Sequence, residues 1–181
     1  MFIQTETTPN PATLKFLPGC AVMPGGGTAN FVNAAEAERS PLAVRLFGLE
    51  GVAGVFLGAD FVTVTKEGRM EWDAMKPQLL GALMDHFASG KPAVESAAAQ
   101  VAGTDDPIVT QIKELLDTRV RPAVAQDGGD IIFRRFENGV VYLHMQGSCS
   151  GCPSSTATLK HGIENMLRHY IPEVSEVRAA E

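Results

Sequence analysis

Cysteine is scarce in this chain, since only three of its 181 residues are cysteines. A small and odd number of cysteines argues against a secreted scaffold held by disulfides and favours a reducing compartment inside the cell. The N-terminus, MFIQTETTPNP, lacks both the features of a signal peptide and the arginine-rich run of a transit peptide. We therefore predict a cytoplasmic protein.

Basic charge and long apolar runs are lacking too. The chain has 15 Lys and Arg against 21 Asp and Glu, a formal net charge of −6, and no segment has a basic excess. Nucleic acid and anionic membranes are therefore not expected as partners. No apolar run approaches the roughly 18 residues that a membrane-spanning helix needs. No Ser/His/Asp or paired-carboxylate arrangement stands out either, so an enzyme is not expected.

The chain is predicted to form two small domains. Residues 89–106 are rich in Ala, Ser, Gly and acidic residues, and they are too poor in large apolar residues to hold a core. We therefore expect a flexible linker at 89–106, between one domain at 1–88 and a second at 107–181.

The first domain is predicted to be a two-layer α+β domain. Ala12–Leu17 alternates like a strand, and 51–68 is typical of a β-hairpin. Ser40 and Pro41 open a short helix, and a longer amphipathic helix begins near Trp72.

The second domain is predicted to be α+β as well, with the order α-β-β-α-β. Asp106 caps a first helix. The Asn138-Gly139 pair separates two strands, as in a hairpin. A second helix is expected at 153–170, with Tyr170 on its apolar face, and a last short strand follows. This order is enough for a three-stranded sheet with two helices on one face.

Two of the three cysteines, Cys149 and Cys152, lie in GSCSGCPSS between a predicted strand and a predicted helix. Pro153 is suited to the first helical turn. Because free N–H groups and the helix dipole favour negative charge there, we expect lowered thiol pKa values. The nearby hydroxyls are expected to hydrogen-bond sulfur: Ser150, Ser154, Ser155 and Thr156.

Several uses of this pair stay open at this point. A structural disulfide is disfavoured in a reducing compartment. A thioredoxin fold needs more sheet and helix than the 29 residues that follow Cys152 in this chain of 181 allow. Redox use of the pair on another fold, a zinc site and an iron–sulfur site remain.

A metal site at this pair needs two further ligands, because zinc and 4Fe–4S clusters each take four protein ligands. Cys20 lies in the other domain and is interpreted as a packing residue. His144 is predicted on the outer face of a strand, and His161 is roughly two helical turns beyond Cys152. A second copy of the chain, which brings two more thiolates across a twofold axis, is the simplest completion.

The sequence resembles known families in both halves. Residues 107–177 resemble the NifU-type C-terminal domain through Arg121-Pro122, QDGGDI at 126–131 and GSCSGCPSSTATLKHGIE at 147–164. Residues 1–88 resemble the N-terminal domain of Nfu proteins, chiefly through TETTPNPATLKFLPG at 5–19. The two matches cover nearly the whole chain.

This resemblance implies an iron–sulfur cluster carrier rather than an enzyme. It implies a 4Fe–4S cluster bridging a homodimer, with Cys149 and Cys152 as the ligands from each chain. It also implies delivery to apo-proteins such as aconitase or lipoyl synthase, an upstream assembly scaffold as cluster donor, and partner recognition by residues 1–88. The remaining alternative is a thiol-disulfide oxidoreductase that uses Cys149 and Cys152 as a dithiol.

Overall fold

Two compact units make up the chain. A computed structural model describes residues 2–95, 106–150 and 153–180, and only the main chain of 153–155. The division between the units falls within 96–105, and each unit has its own hydrophobic core. Both units combine helices with a sheet, so the predicted α+β class is confirmed.

The first unit is built on a five-stranded antiparallel sheet with the strand order β1-β2-β5-β4-β3. The strands are β1 Gln4–Thr7, β2 Thr13–Leu17, β3 Ala29–Phe31, β4 Val52–Leu57 and β5 Val62–Lys66. The helices are a 3-10 turn at Glu36–Arg39, α1 Pro41–Phe47 and α2 Trp72–Ala88. Strand and helix residues share one core, which includes Phe16, Phe31, Leu46, Leu79 and Leu83.

The described part of the predicted linker, 89–95, packs on the first unit. Ala93 is buried, and its carbonyl accepts a hydrogen bond from the Ser40 hydroxyl. The Glu95 N–H donates to the carbonyl of Arg39 at 3.0 Å. The rest of the predicted linker up to 105 lies outside the described residues, and the domain boundaries stay a prediction.

The second unit follows the predicted order α-β-β-α-β. Its helical elements are α3 Pro107–Leu115, a π-helical turn at Leu116–Val120, α4 Arg121–Gln126 and α5 Pro153–Tyr170. Its strands are β6 Gly129–Glu137, β7 Val140–Gly147 and β8 Glu176–Ala179. In the sheet order β6-β7-β8, β6 runs antiparallel to β7 and β8 runs parallel to it.

Local sequence explains these elements. The Asp106 carboxylate caps α3 by accepting a hydrogen bond from the N–H of Ile108 at 3.1 Å, as predicted. Asn138 and Gly139 have φ of 51° and 77°, which the tight turn between β6 and β7 requires. Pro122 has no N–H to donate and crowds the preceding turn, which accounts for the π-helical irregularity before α4.

The core of the second unit lies between its sheet and its helices. Alternate residues of β7 point into it, and Ile112, Leu116, Ile163 and Leu167 face them from the helices. The prediction for Tyr170 is wrong, because this residue at the end of α5 is 48% exposed. The Arg119 guanidinium lies 5.1 Å from the centroid of its ring. Within the described ranges, no helix has the length and apolar character to cross a membrane.

Candidate metal centre

Cys149 lies in the short loop between the end of β7 and the start of α5. Its side chain is a free thiol, and the residue is only 6% exposed. Cys152, the second predicted ligand, lies outside the described residues. The strand–loop–helix setting predicted for the pair is therefore present around Cys149.

Hydrogen bonds to main-chain atoms shape this loop. The N–H and the hydroxyl of Ser150 both donate to the Gly147 carbonyl, at 3.2 Å and 3.1 Å. The Thr156 hydroxyl donates to the Cys149 carbonyl at 3.0 Å. The two described hydroxyls donate these bonds to main-chain oxygens, and the predicted hydrogen bonds to sulfur stay a prediction.

The DGGD motif at 127–130 packs beneath the cysteine loop. A Cβ placed on Gly129 would lie 2.4 Å from the Cys149 sulfur and 2.9 Å from the carbonyl oxygen of Gln146. The Ser148 hydroxyl donates to the Asp127 carbonyl, and the Ser148 N–H donates to the Gly128 carbonyl at 3.3 Å. Gly129 is therefore a glycine because Cys149 takes the space where its side chain would be.

The last residue of this motif, Asp130, pairs with Arg121 at the start of α4. Its carboxylate accepts two hydrogen bonds from Arg121, both at 2.8 Å, and a third at 2.8 Å from the N–H of Ile131. The Arg121 guanidinium also contacts Asp117 at 3.1 Å. The Asp130 hydrogen bonds are the first cause that raises the pKa of Arg121. Arg121 thus fastens the start of α4 to the start of β6, next to the cysteine loop.

The electrostatic surroundings of Cys149 favour the neutral thiol. Burial raises the pKa of Cys149 to about 12, and the carboxylates of Asp127 and Asp130 add to the rise. The Ser148 side chain works in the opposite direction. The predicted lowering of the pKa is therefore wrong for Cys149, because burial and two nearby acids outweigh the helix N-terminus.

The other candidate ligands lie elsewhere. Cys20 is exposed, so its interpretation as a packing residue is wrong. His144 is on the outer face of β7, as predicted, with its Nδ1 3.2 Å from the Ala180 carbonyl oxygen. Among the described residues, no group of three or more His, Cys, Asp or Glu side chains is placed to hold a metal ion.

The described geometry defines a class: a two-domain α+β protein with a cysteine loop packed on a Gly-Gly turn in its second domain. Residues 3–90 match the family described as scaffold protein Nfu/NifU N terminal, and residues 112–178 match the NifU-like domain. The chain therefore contains an Nfu N-terminal domain followed by a NifU-like domain. The resemblance inferred from the sequence motifs is confirmed.

Curated relatives are similar over nearly all of the chain. A protein of Drosophila erecta named "NFU1 iron-sulfur cluster scaffold homolog, mitochondrial" is 55% identical over 98% of this chain, and its Drosophila ananassae counterpart is 54% identical. The chain spans 64% of the length of the first relative and 63% of the second. Both names describe iron–sulfur cluster scaffolds and not enzymes, which agrees with the prediction of a non-enzyme.

The relatives also correct one prediction. They are named as mitochondrial proteins, so the predicted cytoplasmic location is wrong. Cysteine usage reports only whether a compartment is reducing, and it does not distinguish the cytosol from another reducing compartment. Among solved structures, a NifU-like protein from Saccharomyces cerevisiae is 29% identical and covers 54% of this chain and 87% of its own, with a TM-score of 0.49.

Proposed function

We propose that this protein is an iron–sulfur cluster scaffold and carrier. Two copies of the chain hold a 4Fe–4S cluster through Cys149 and Cys152 and pass it to apo-proteins. The observation that carries the proposal is the Cys149 loop: a free thiol at a strand-to-helix connection of a NifU-like domain, held against Gly129.

The number of ligands supports a shared cluster. A 4Fe–4S cluster takes four protein ligands, and one chain supplies two from this motif. Cys20 is in the first unit, and its exposed position gives no buried setting for a cluster. A second copy supplies the missing pair by symmetry.

Burial of Cys149 supports a transient rather than a permanent site. Iron binds the thiolate, so loading must remove a proton that the fold retains. It must also bring the sulfur out of a site where the residue is 6% exposed. Both steps oppose binding, and both are reversed on release, which suits a carrier that hands its cluster on.

The same burial disfavours the alternative function as a thiol-disulfide oxidoreductase. An attacking cysteine in such an enzyme needs a lowered pKa and access to its substrate. Cys149 has a pKa raised to about 12, and the residue is buried. A metal ion is different, because coordination itself displaces the thiol proton.

The partners follow from a role as carrier. An upstream scaffold supplies the cluster, and apo-proteins such as aconitase or lipoyl synthase receive it. The first unit, whose described residues include no metal-binding cluster, acts in recognition of these partners.

Anaerobic reconstitution with iron and sulfide tests the proposal. We expect about four irons per two chains, a broad absorbance band near 400 nm, and a change from monomer to dimer on size-exclusion chromatography. Cys149→Ser and Cys152→Ser should each abolish stable binding. Cys20→Ser is the matched control and should keep the full iron content.

Two results would contradict the proposal. A monomer that retains a complete cluster would rule out the shared site. A colourless protein that turns over a dithiol substrate, with loss of turnover in Cys149→Ser, would favour the oxidoreductase instead.

A further inference from the structure

A groove of about 390 Å³ lies between the edge of β6 and the helical segment from α3 to α4. Its apolar surface consists mainly of Phe133, because Leu116 and Ile131 also line it but are only 2% and 1% exposed. Ile132 and Arg134 continue along the strand. The groove belongs to the second unit alone. The cluster site does not use these side chains.

The groove runs along β6, which is an edge strand of its sheet. Among the described strands it pairs only with β7, at one end of the order β6-β7-β8. Four consecutive residues, 131–134, line the groove, so the main chain of the strand borders it and not only one row of side chains. An edge strand beside a helix is the geometry into which extended peptides insert as an added strand.

Positive charge is in excess around the groove. Lys113, Arg121 and Arg134 line it together with one acid, Asp117, in a chain whose net charge is −6. Because Arg121 is paired with Asp130 and Asp117, Lys113 and Arg134 supply the excess. The Lys113 ammonium lies 5.4 Å from the centroid of the Phe133 ring, over the apolar surface. An acidic segment is the complementary occupant.

A second copy of the chain fits this edge poorly. Pairing of β6 with β6 across a twofold axis would bring Arg134 and Arg135 close to the same two residues of the other copy. Like charges placed opposite each other destabilise a strand pair. The ladder with β7 is also irregular between Phe133 and Arg135, which leaves Arg134 as an extra residue and limits regular strand addition to the short stretch before it. A short segment fits this stretch better than the nine-residue β6 of a second copy.

We propose that the groove between β6 and α3–α4 is a docking site for an extended acidic segment of a partner protein, which adds as a strand beside β6. The Ile131 N–H already donates to Asp130, so the main chain of β6 beyond that group gives the added strand its hydrogen bonds. The apolar surface takes alternate side chains, and the basic rim selects acidic residues between them.

The proposed docking groove lies close to the cysteine loop. β6 begins at Gly129, which contacts Cys149, and Arg134 is five residues further on, about 17 Å along an extended strand. A partner segment held here lies beside the cysteine loop without covering it. The inference does not depend on the cluster, and it is tested on the apo-protein.

The probe is a blocked seven-residue peptide, acetyl-TVEVEVT-amide, titrated into the full ¹⁵N-labelled chain. We expect amide shifts concentrated at 131–134 and in α3 to α4, and binding about tenfold tighter than for acetyl-TVKVKVT-amide. The same acidic peptide with every residue N-methylated should lose binding, because no residue keeps a main-chain N–H group with which to pair as a strand.

Two charge reversals at partly or fully exposed positions test the rim. Lys113→Glu and Arg134→Glu should each weaken binding of the acidic peptide about tenfold. Arg178→Glu, on β8 at the opposite edge of the sheet, is the matched control and should leave binding unchanged. The amide spectra show whether each variant is folded.

Three outcomes would overturn the proposal. One is amide shifts confined to other surfaces, and another is equal binding of the N-methylated peptide, which would show attraction of charges without strand addition. The third is concentration-dependent shifts of 131–134 without peptide, which would show that a second copy occupies the edge.

Discussion

Gly129 and Cys149 make the closest packing contact of the cysteine loop. A methyl group at position 129 would meet the Cys149 sulfur at 2.4 Å and the Cys149 nitrogen at 3.0 Å, so either the loop or the strand must move. We expect Gly129→Ala to lower the free energy of unfolding of the second unit by about 1–3 kcal/mol. Urea unfolding of the apo-protein measures this loss.

Gly162→Ala provides the matched control within the same unit. Gly162 is exposed in α5, and a Cβ there would meet no atom within 4 Å. Alanine favours a helix over glycine by up to about 1 kcal/mol, so this variant should be as stable as the parent or more stable. Equal urea midpoints for Gly129→Ala and the parent would contradict the packing of Cys149 on Gly129.

The raised pKa of Cys149 makes stability depend on pH. The folded chain holds the thiol proton more tightly than the unfolded chain does, because burial and two carboxylates disfavour the thiolate. The stabilising contribution is therefore full below the ordinary thiol pKa of 9.0 and is lost as the pH rises from there towards about 12. We expect the apo-protein to lose stability across this alkaline range.

A comparison of Cys149→Ser with the parent isolates this effect from other alkaline groups. Urea midpoints at pH 8 and pH 10.5 should fall less in the variant than in the parent. Alkylation gives a second measurement: in a Cys152→Ser background, iodoacetamide should modify exposed Cys20 well before buried Cys149. Equal alkylation rates for the two cysteines would show that Cys149 is not buried in solution.

At the scale of elements, the Arg121–Asp130 pair joins α4 to β6. The Asp130 side chain is 4% exposed and that of Arg121 is 27% exposed, so the carboxylate depends more on its partner. We expect Arg121→Met, which leaves a buried carboxylate without its cation, to lower the free energy of unfolding by about 3 kcal/mol. Asp130→Asn should cost less, because Arg121 keeps its contact with Asp117 and part of its hydration.

The exposed pair formed by Arg178 and Glu176 on β8 serves as the control. Arg178→Met should leave the urea midpoint close to that of the parent, because water solvates both charges. The order of effects is the critical result. If Asp130→Asn lowered the free energy of unfolding more than Arg121→Met does, the loss would not come from a buried carboxylate left without its cation.

The predicted elements that match the structure have strong local signals. The Asn138-Gly139 turn supplies two positive φ angles, and Ser40 and Asp106 cap α1 and α3 with their side chains. The missed elements lack such signals. β1 is exposed at all four residues and shows no alternation, and β3 has only three residues. Both strands exist because neighbouring strands in the sheet pair with them.

The site was predictable in its residues and less so in its chemistry. The spacing of Cys149 and Cys152 and the helix after them were readable from the chain. The burial of Cys149 was not, because it depends on Gly129, twenty residues earlier, and on acids brought close by the turn between α4 and β6. For the buried ion pair, the sequence offered only the presence of Arg121 and Asp130 within the two motifs Arg121-Pro122 and QDGGDI.

At the scale of the whole molecule, each unit has the core it needs to fold alone. We expect residues 106–181 expressed by themselves to fold and to assemble the proposed cluster, because the cysteine loop and its packing partners belong to this unit. Asp106 is included since its carboxylate caps α3. Circular dichroism and iron content after anaerobic reconstitution measure the two properties.

The first unit should affect delivery rather than binding. At matched cluster loading, transfer from residues 106–181 to an apo-protein such as aconitase or lipoyl synthase should be slower than transfer from the full chain, since the first unit no longer raises the local concentration. Equal transfer rates for every target would remove recognition from the first unit. Failure of residues 106–181 to bind iron would move part of the site into residues 1–105.

The parallel pairing of β8 with β7 sets an order of events during synthesis. The β6–β7 hairpin and the cysteine loop leave the ribosome before α5 and β8 do, yet Val177 of β8 is fully buried in the core that supports them. Non-local strand pairing of this kind has to wait for the later segment of the chain. A nascent chain therefore displays its cysteines before the sheet that shapes their loop is complete. The proposed cluster site is therefore complete only after the C-terminal strand β8 has been synthesised and paired.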